Sequence, residues 1–244
     1  MQAIILAAGR GCRLNGSAAP ARPKCLHEVG GVSLLHHQLR ALADAGIHDV
    51  LIVVGFQQHR VRRAAGKSAH FVVNERFADT NSLCSFLLSR PLVHTDLVVM
   101  NSDVYFHPDV LGRLLKAEGD ALVYDSGSGH EDEHMKVTVS GGRLVEMAKD
   151  LPPGRTHGEN VGILRLSAAT ATRIFDAGEE IVARHGRLSW LAVAISYVAA
   201  STAIGCVDIA GLPWVEIDFP HDLHRARTEV FPALHGELAE VVGR

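Results

Sequence analysis

The sequence predicts an α/β domain: a mixed, mostly parallel sheet flanked by helices, with a hairpin inserted late in the chain. Three observations predict it. Strand-like runs rich in Val, Ile and Leu alternate with helical patterns from residue 2 to residue 125, and such alternation puts helices on both faces of a parallel sheet. After Asp125 the alternation gives way to two strand-like stretches around Gly141-Gly142, which reads as a hairpin turn. Finally, 244 residues at 47% hydrophobic content can fill a sizeable core. No repeat, low-complexity tract or long linker marks a boundary, so residues 1–244 read as a single domain.

The elements follow in order. Gln2–Ala7 is an apolar run and the first strand. Val32–Ala45 is helical, and Asp44-Ala45-Gly46 supplies a C-cap glycine. Val50–Gly55, His70–Asn74, Asp96–Asn101 and Asp120–Tyr124 are further strands; Gln58–Ala65, Ser82–Ser89 and Pro108–Glu118 are the helices between them. Met135–Ser140 and Arg143–Lys149 form the hairpin, Asn160–Leu166 is another strand, and Asp218–Thr228 opens a final helix. In such a sheet ligands gather at the carboxyl ends of the strands, where Gly9, Asn74 and Asp103 fall.

Composition excludes several roles. Net charge is −3, and no Lys/Arg run exceeds Arg62-Arg63, so nucleic acid is not an expected partner. Cys12, Cys25, Cys84 and Cys206 lie far apart with no Cys-x-x-Cys pair, which suits reduced thiols in a cytoplasm. Ile4–Ala8 is too short for a signal-peptide core and lacks a basic flank; the Asn15-Gly16-Ser17 sequon is then irrelevant. Leu188–Val207 carries no charge over a membrane-length stretch. Serines, Thr202 and Gly205 interrupt it, so it reads as a helix, Ser189–Ala200, and a strand, Ala203–Ile209. His130-Glu131-Asp132-Glu133-His134 fits the zinc-protease string, but that chemistry needs a helix and a strand follows at once.

The N-terminus carries the chemistry. The strand breaks into Leu6-Ala7-Ala8-Gly9-Arg10-Gly11-Cys12-Arg13, and Pro23-Lys24 follows. Glycines let backbone N–H groups close on phosphate oxygens, and Arg13 and Lys24 add positive charge. A P-loop string is missing after this strand, and Leu14 stands where a dinucleotide fingerprint needs its third glycine. Two further clusters are Asn101-Ser102-Asp103-Val104, ending the apolar run Leu97–Met100, and Trp214-Val215-Glu216-Ile217-Asp218 before a helix. Each aspartate alone reads equally well as a helix cap.

This arrangement resembles the signature of nucleotidyltransferases, Leu-Ala-Ala-Gly-x-Gly-x-Arg with Pro-Lys downstream, and the resemblance spans the chain. It implies a Rossmann-like, GT-A-like fold with Leu6, Ala7, Ala8, Gly9, Gly11, Arg13, Lys24 and Ser102 around the nucleotide. It also implies Asp103 and Asp218 as ligands of Mg²⁺, a hard cation that needs one or two carboxylates beside phosphates. Arg143–Pro153 is similar to the family stretch ending in Glu-Lys-Pro, with Ala148 and Asp150 replacing its glutamate and proline; it implies that Lys149 contacts the acceptor's phosphate. Gly158–Ile163 is similar to the stretch lining the acceptor pocket. Within the family the chain looks closest to small cytidylyltransferases acting on phosphocholine or phosphonates, through Asn74…Thr80-Asn81-Ser82, Met135-Lys136-Val137 and Trp214–Asp218.

The implied reaction transfers a nucleotidyl group from a triphosphate, with CTP expected, to a small phosphorylated or phosphonate acceptor. Arg13, Lys24 and Lys149 are the expected catalytic residues; Asn81, Asp125, Lys136, Lys149 and Glu159 are expected at the acceptor. Asp125, Glu133 or Glu159 would suit a primary amine on it, and Tyr105, Tyr124, Trp190 and Trp214 a quaternary one; aromatic residues are few, at 5%, which favours the amine. The partners are then small molecules, with neither nucleic acid nor membrane, and a homodimer is allowed for. Two alternatives stay open: a sugar-1-phosphate or cyclitol-phosphate nucleotidylyltransferase using UTP, dTTP or GTP, and a binding protein that has lost turnover.

Overall fold

The structure is a computed structural model that describes residues 1–15, 21–128 and 133–242. Most of the sequon and most of the His130–His134 string lie outside them. In chain order the first half holds β1 (Gln2–Ala7), α1 (Cys12–Asn15), β2 (Glu28–Val29), β3 (Val32–Ser33), α2 (Leu34–Asp44), β4 (Asp49–Val54), α3 (Gln58–Ala65), β5 (His70–Val73) and α4 (Ser82–Leu87). Next come β6 (Leu97–Asn101), β7 (Val104–Phe106), α5 (Asp109–Lys116), β8 (Ala121–Asp125), β9 (Lys136–Ser140), β10 (Arg143–Ala148) and β11 (Glu159–Leu166). The last are α6 (Ala168–His185), α7 (Leu191–Ala199), β12 (Gly205–Asp208), β13 (Trp214–Glu216), α8 (Pro220–Arg225) and α9 (Phe231–Val242), the final two joined by a wider helical turn.

Among the described residues, nine strands form one sheet in the order β5-β4-β1-β6-β11-β8-β12-β10-β9. β5, β4, β1 and β6 run parallel, β11 runs against both β6 and β8, and the β9–β10 hairpin turns at Gly141-Gly142 as expected. Side chains alternate between two buried layers. Ala3, Ile5 and Ala7 of β1 face one cluster with α2, α3 and α5, while Ile4 and Ala8 face the other with α4, α6 and α7. Both faces are covered, so these strands are apolar at nearly every position.

Three boundaries moved for local reasons. The first long helix starts at Leu34 because Ser33 Oγ accepts the His36 N–H, while Val32–Ser33 pairs with Glu28–Val29. α7 starts at Leu191, whose N–H is taken by Ser82 Oγ of α4 at 2.9 Å. The C-terminal helix starts at Pro220, because one Asp222 oxygen accepts the N–H groups of both Asp218 and Phe219. Asp222 does the capping, and Asp218 is left to other partners.

α6 was not anticipated, although it is the longest helix with described side chains. Its signals are local: Ser167 caps it, Gly186 ends it, and Ala171, Ile174, Phe175, Gly178 and Ile181 make one buried stripe. Phe175 stacks on Phe86 of α4, and a Cβ at Gly178 would stand 2.9 Å from Leu83.

α2 also ties down β7. The His37 ring lies against Tyr105 and Phe106, with Nε2 2.9 Å from the Phe106 carbonyl oxygen. Burial pushes the His37 pKa down to about 4, helped by the nearby cations His235 and Arg40 and opposed by the Phe106 contact. Below about pH 6.5 the unfolded chain therefore binds the proton that the folded one refuses. Stability contributed by neutral His37 is expected to fall between about pH 6.5 and pH 4, by up to about 3 kcal/mol at 1.4 per pKa unit. Denaturant unfolding across that range should show the decline steepest in the parent and shallower in His37→Gln; parallel curves would refute it.

Candidate active site

A cleft of about 400 Å³ opens at the carboxyl ends of β1 and β6. It is lined by every residue assigned to the nucleotide: Leu6, Ala7, Ala8, Gly9, Gly11, Arg13, Lys24 and Ser102. Asp103, Asp218, Asn81 and Lys149 line it as well. Gly11 sits at φ +60°, a conformation that glycine adopts without strain, and so lets the loop turn back over the strand end.

The acidic residues meet because β7 and β13 pair. That two-stranded antiparallel sheet sets Glu216 opposite Val104, and Ile217 donates to the Asp103 carbonyl at 3.0 Å. Asp103 therefore leaves β6 toward the cleft, and Glu216 and Asp218, two apart on an extended segment, point the same way. Carboxylate oxygens of Asp103, Glu216 and Asp218 lie within 4.8 Å of one another.

Lys24 bridges the cluster, its Nζ 2.7 Å from Asp103 Oδ2 and hydrogen-bonded to Asp218 Oδ1. Arg13 donates to the other Asp218 oxygen at 2.6 Å and to Glu133 at 2.5 Å, and Glu133 reaches Lys149 Nζ at 3.2 Å. Burial alone would lower the Lys24 pKa, but Asp103 and Asp218 outweigh it and keep the ammonium charged. Burial alone would raise Asp218, yet Lys24 and Arg13 hold it below the usual carboxylate range. Glu216 is displaced upward, by burial and then by Asp103 and Asp218, against the pull of Lys24 and His134.

The donor set fits a divalent cation. Three hard oxygen ligands converge, and Asp103 Oδ1 is buried without a hydrogen-bond partner among the described residues. A buried, unpaired carboxylate oxygen is costly unless something else satisfies it. Glu216 belongs with the two expected aspartates; its signal was its spacing of two from Asp218 in a strand-like stretch.

Three expected acceptor residues lie elsewhere. Lys136 is buried and its Nζ donates to the Lys149 carbonyl at 2.8 Å. Asp125 accepts from Trp214 Nε1 at 2.8 Å and from the Gly127 N–H at 2.9 Å. Glu159 is 1% exposed and pairs with His134 Nδ1 at 3.0 Å. The cause in β11 is side-chain alternation: Asn160, Gly162 and Leu164 face the cleft, so Glu159 does not. Gly162 is at φ +78°, and a Cβ there would come 2.7 Å from the Asn101 side chain. Of the aromatic candidates, Trp190 lines the cleft with Lys149 Nζ over its ring at 4.9 Å; Tyr105, Tyr124 and Trp214 are not in the lining.

The sequence profile of the MobA-like NTP transferase domain matches residues 3–193. The chain belongs to that family. Among its relatives, the CMP-5'-(3-aminopropyl)phosphonate synthase of Streptomyces rubellomurinus is 32% identical, over 97% of this chain and 41% of that protein. A bifunctional IPC transferase and DIPP synthase of Rubrobacter xylanophilus is also 32% identical, over 91% of this chain and 50% of its own. The chain thus spans half or less of the length of these curated relatives. Among solved structures, the inositol-1-phosphate CTP transferase from T. maritima superposes with a TM-score of 0.79 at 22% identity, covering 96% of this chain and 94% of that one. The CTP:phosphocholine cytidylyltransferase from Streptococcus pneumoniae gives 0.72 at 20% identity, covering 99% and 98%. These likenesses bear on the fold, which the chain shares over nearly its whole length. Among the described residues no helix is long and apolar enough to cross a membrane.

Proposed function

We propose that this chain transfers a cytidylyl group from CTP to a small phosphonate or phosphate acceptor, releasing pyrophosphate. The observation that carries the reading is the convergence of Arg13 and Lys24 with Asp103, Glu216 and Asp218 at one cleft. CTP is favoured by the names of the two solved structures above and of the Streptomyces relative.

An acceptor oxygen attacks the α-phosphorus, the bond to the bridging oxygen breaks, and pyrophosphate leaves. The protein contributes positioning and charge neutralisation. Backbone N–H groups around Gly9 and Gly11 cradle the triphosphate. Arg13 meets the departing pyrophosphate, Lys24 the α-phosphate, and Lys149 the anionic group of the acceptor. Asp103 and Asp218, with Glu216 beside them, would hold Mg²⁺, whose charge offsets that of the phosphates. Asn81 and Ser102 also line the cleft. Pyrophosphate release assayed with each triphosphate against phosphonates, phosphorylated amines, cyclitol phosphates and sugar phosphates tests this. Release with CTP and a small phosphonate or phosphate supports it; release only with a sugar phosphate, or none at all, overturns it.

A second reading, a cyclitol-phosphate acceptor, is favoured by the T. maritima likeness and the Rubrobacter relative. Glu133 separates the two. Outside the acidic cluster it is the one carboxylate among the described residues lining the cleft, and Lys149 and Arg13 hold it ionised. An acceptor that brings its own ammonium can replace Lys149 at Glu133 while its phosphonate takes Lys149; a polyol phosphate leaves Glu133 beside an added anion. Glu133→Gln is expected to lower kcat/KM for an aminoalkylphosphonate relative to a cyclitol phosphate by about five- to tenfold, a modest figure for a half-exposed carboxylate. An unchanged ratio would sink the ammonium-bearing acceptor.

A further inference from the structure

Gln38 is a fully buried polar side chain for which the proposed reaction has no use. It lies on α2 behind the acidic cluster. Its Nε2 donates to the Asn101 carbonyl at 2.8 Å and to the Val104 carbonyl at 3.0 Å. Both neighbours only accept, so the NH₂ of the carboxamide must be the atom that faces them. Its Oε1 finds no hydrogen-bond partner among the described residues. A buried amide that leaves its oxygen unsatisfied in order to place two donors is an expensive way to fill a core position.

What it holds is specific. Asn101 ends β6 and Val104 opens β7, so the two carbonyls bracket Ser102-Asp103. β6 is fixed between β1 and β11 in the large sheet, whereas β7, among the described residues, pairs with β13 alone. The turn through Ser102-Asp103 is therefore one of two places where the chain joins the small sheet carrying Glu216 to the large one, the other being the stretch from β12 to β13. Gln38 pins both sides of that joint, and the neighbouring His37 holds the far end of β7 through Phe106.

We propose that Gln38 is a positioning residue for a divalent-cation site: it locks the turn that aims Asp103 and, through β7, keeps Asp103, Glu216 and Asp218 within reach of one ion. The proposal rests on reading that cluster as a cation site. Gln38 touches neither substrate nor ion and acts only through the Asn101 and Val104 carbonyls. A residue that only filled the core would affect stability and leave cation affinity alone.

Mn²⁺ titration followed by the electron-paramagnetic signal of the free ion, with CTP present, tests this on the intact chain. Asp103→Asn reports whether the parent binds Mn²⁺ at this cluster. Gln38→Met keeps the volume and removes both donors. Leu42→Ala, one turn along α2 and fully buried, is the control for lost packing, and melting temperatures are recorded throughout. The parent should bind Mn²⁺ in an Asp103-dependent way. Gln38→Met should weaken that binding about tenfold, the low end for groups behind metal ligands, and raise the half-saturating Mg²⁺ for pyrophosphate release by a similar factor. Leu42→Ala should lose stability without losing affinity. Should Gln38→Met not fold, Gln38→Asn, which draws the NH₂ back by one methylene, is expected to move affinity in the same direction.

Parental Mn²⁺ affinity in the folded Gln38 variants overturns the proposal, as does equal loss of affinity in Leu42→Ala. Absence of Asp103-dependent binding in the parent overturns it too. Asp103-dependent binding without pyrophosphate release from any substrate refutes the proposed reaction instead, and the titration still decides the role of Gln38.

Discussion

Asp103→Asn is expected to cut the rate of pyrophosphate release by about three orders of magnitude, which is the worth of roughly 4 kcal/mol at the transition state. The substitution keeps shape and removes charge. One Asp103 oxygen is buried without a hydrogen-bond partner among the described residues and the other meets Lys24, which also holds Asp218. The fold should survive, because the backbone carbonyl of residue 103 still receives the Ile217 N–H and no cavity is made. Asp218→Asn should be at least as inactive and should also melt lower, since Asp218 pairs with both Lys24 and Arg13. Rates measured against Mg²⁺ concentration, with a thermal melt for each variant, check both statements. A near-normal Mg²⁺-dependent rate in either variant would remove that residue from the site.

The difference between what the chain declares locally and what it does not is visible in these same residues. The place of Gly9, Gly11 and Arg13 in the cleft was legible because they form one contiguous stretch at the end of a strand, and the phosphate-binding role proposed for them depends on backbone freedom and adjacent charge. β1 and α3 were legible to the residue, since the apolar run of β1 and the Gly66 that stops α3 are local signals. Glu216 was not singled out, because its partnership with Asp103 depends on β7 pairing with β13 across more than a hundred residues. Lys136, Asp125 and Glu159 stand close to the right strands but turn the wrong way, and a one-residue change of face is what an alternating strand makes hardest to see without its neighbours. α6 is different: its cap, its stripe and its glycine stop are all local, so the signal was present and passed over.

Lys24→Met should lower kcat by about a hundredfold or more while changing the KM for CTP much less, if the contact proposed for it strengthens as charge develops at the α-phosphate. Methionine keeps most of the volume at a side chain that is 14% exposed, so packing is a small part of the effect. Charge is the large part. Without the ammonium, Asp103, Glu216 and Asp218 face one another within 4.8 Å, with Arg13 on Asp218 and His134 3.9 Å from Glu216 as the remaining partners among the described residues. The variant should therefore melt below the parent when no divalent ion is added. It should also gain more from added Mg²⁺, since an ion at free concentration c that binds the folded state stabilises it by RT ln(1 + c/Kd), and Lys24 no longer competes for the same oxygens. Arg13→Ala should behave differently, raising KM and lowering kcat together, if this side chain, 41% exposed, serves the ground-state triphosphate as well as the leaving group, as proposed above. Steady-state kinetics and melts with and without Mg²⁺ separate the two cations. A Lys24 variant altered only in KM, or one whose melting temperature responds to Mg²⁺ no more than the parent's does, would contradict a lysine that holds the carboxylates together and then serves the α-phosphate.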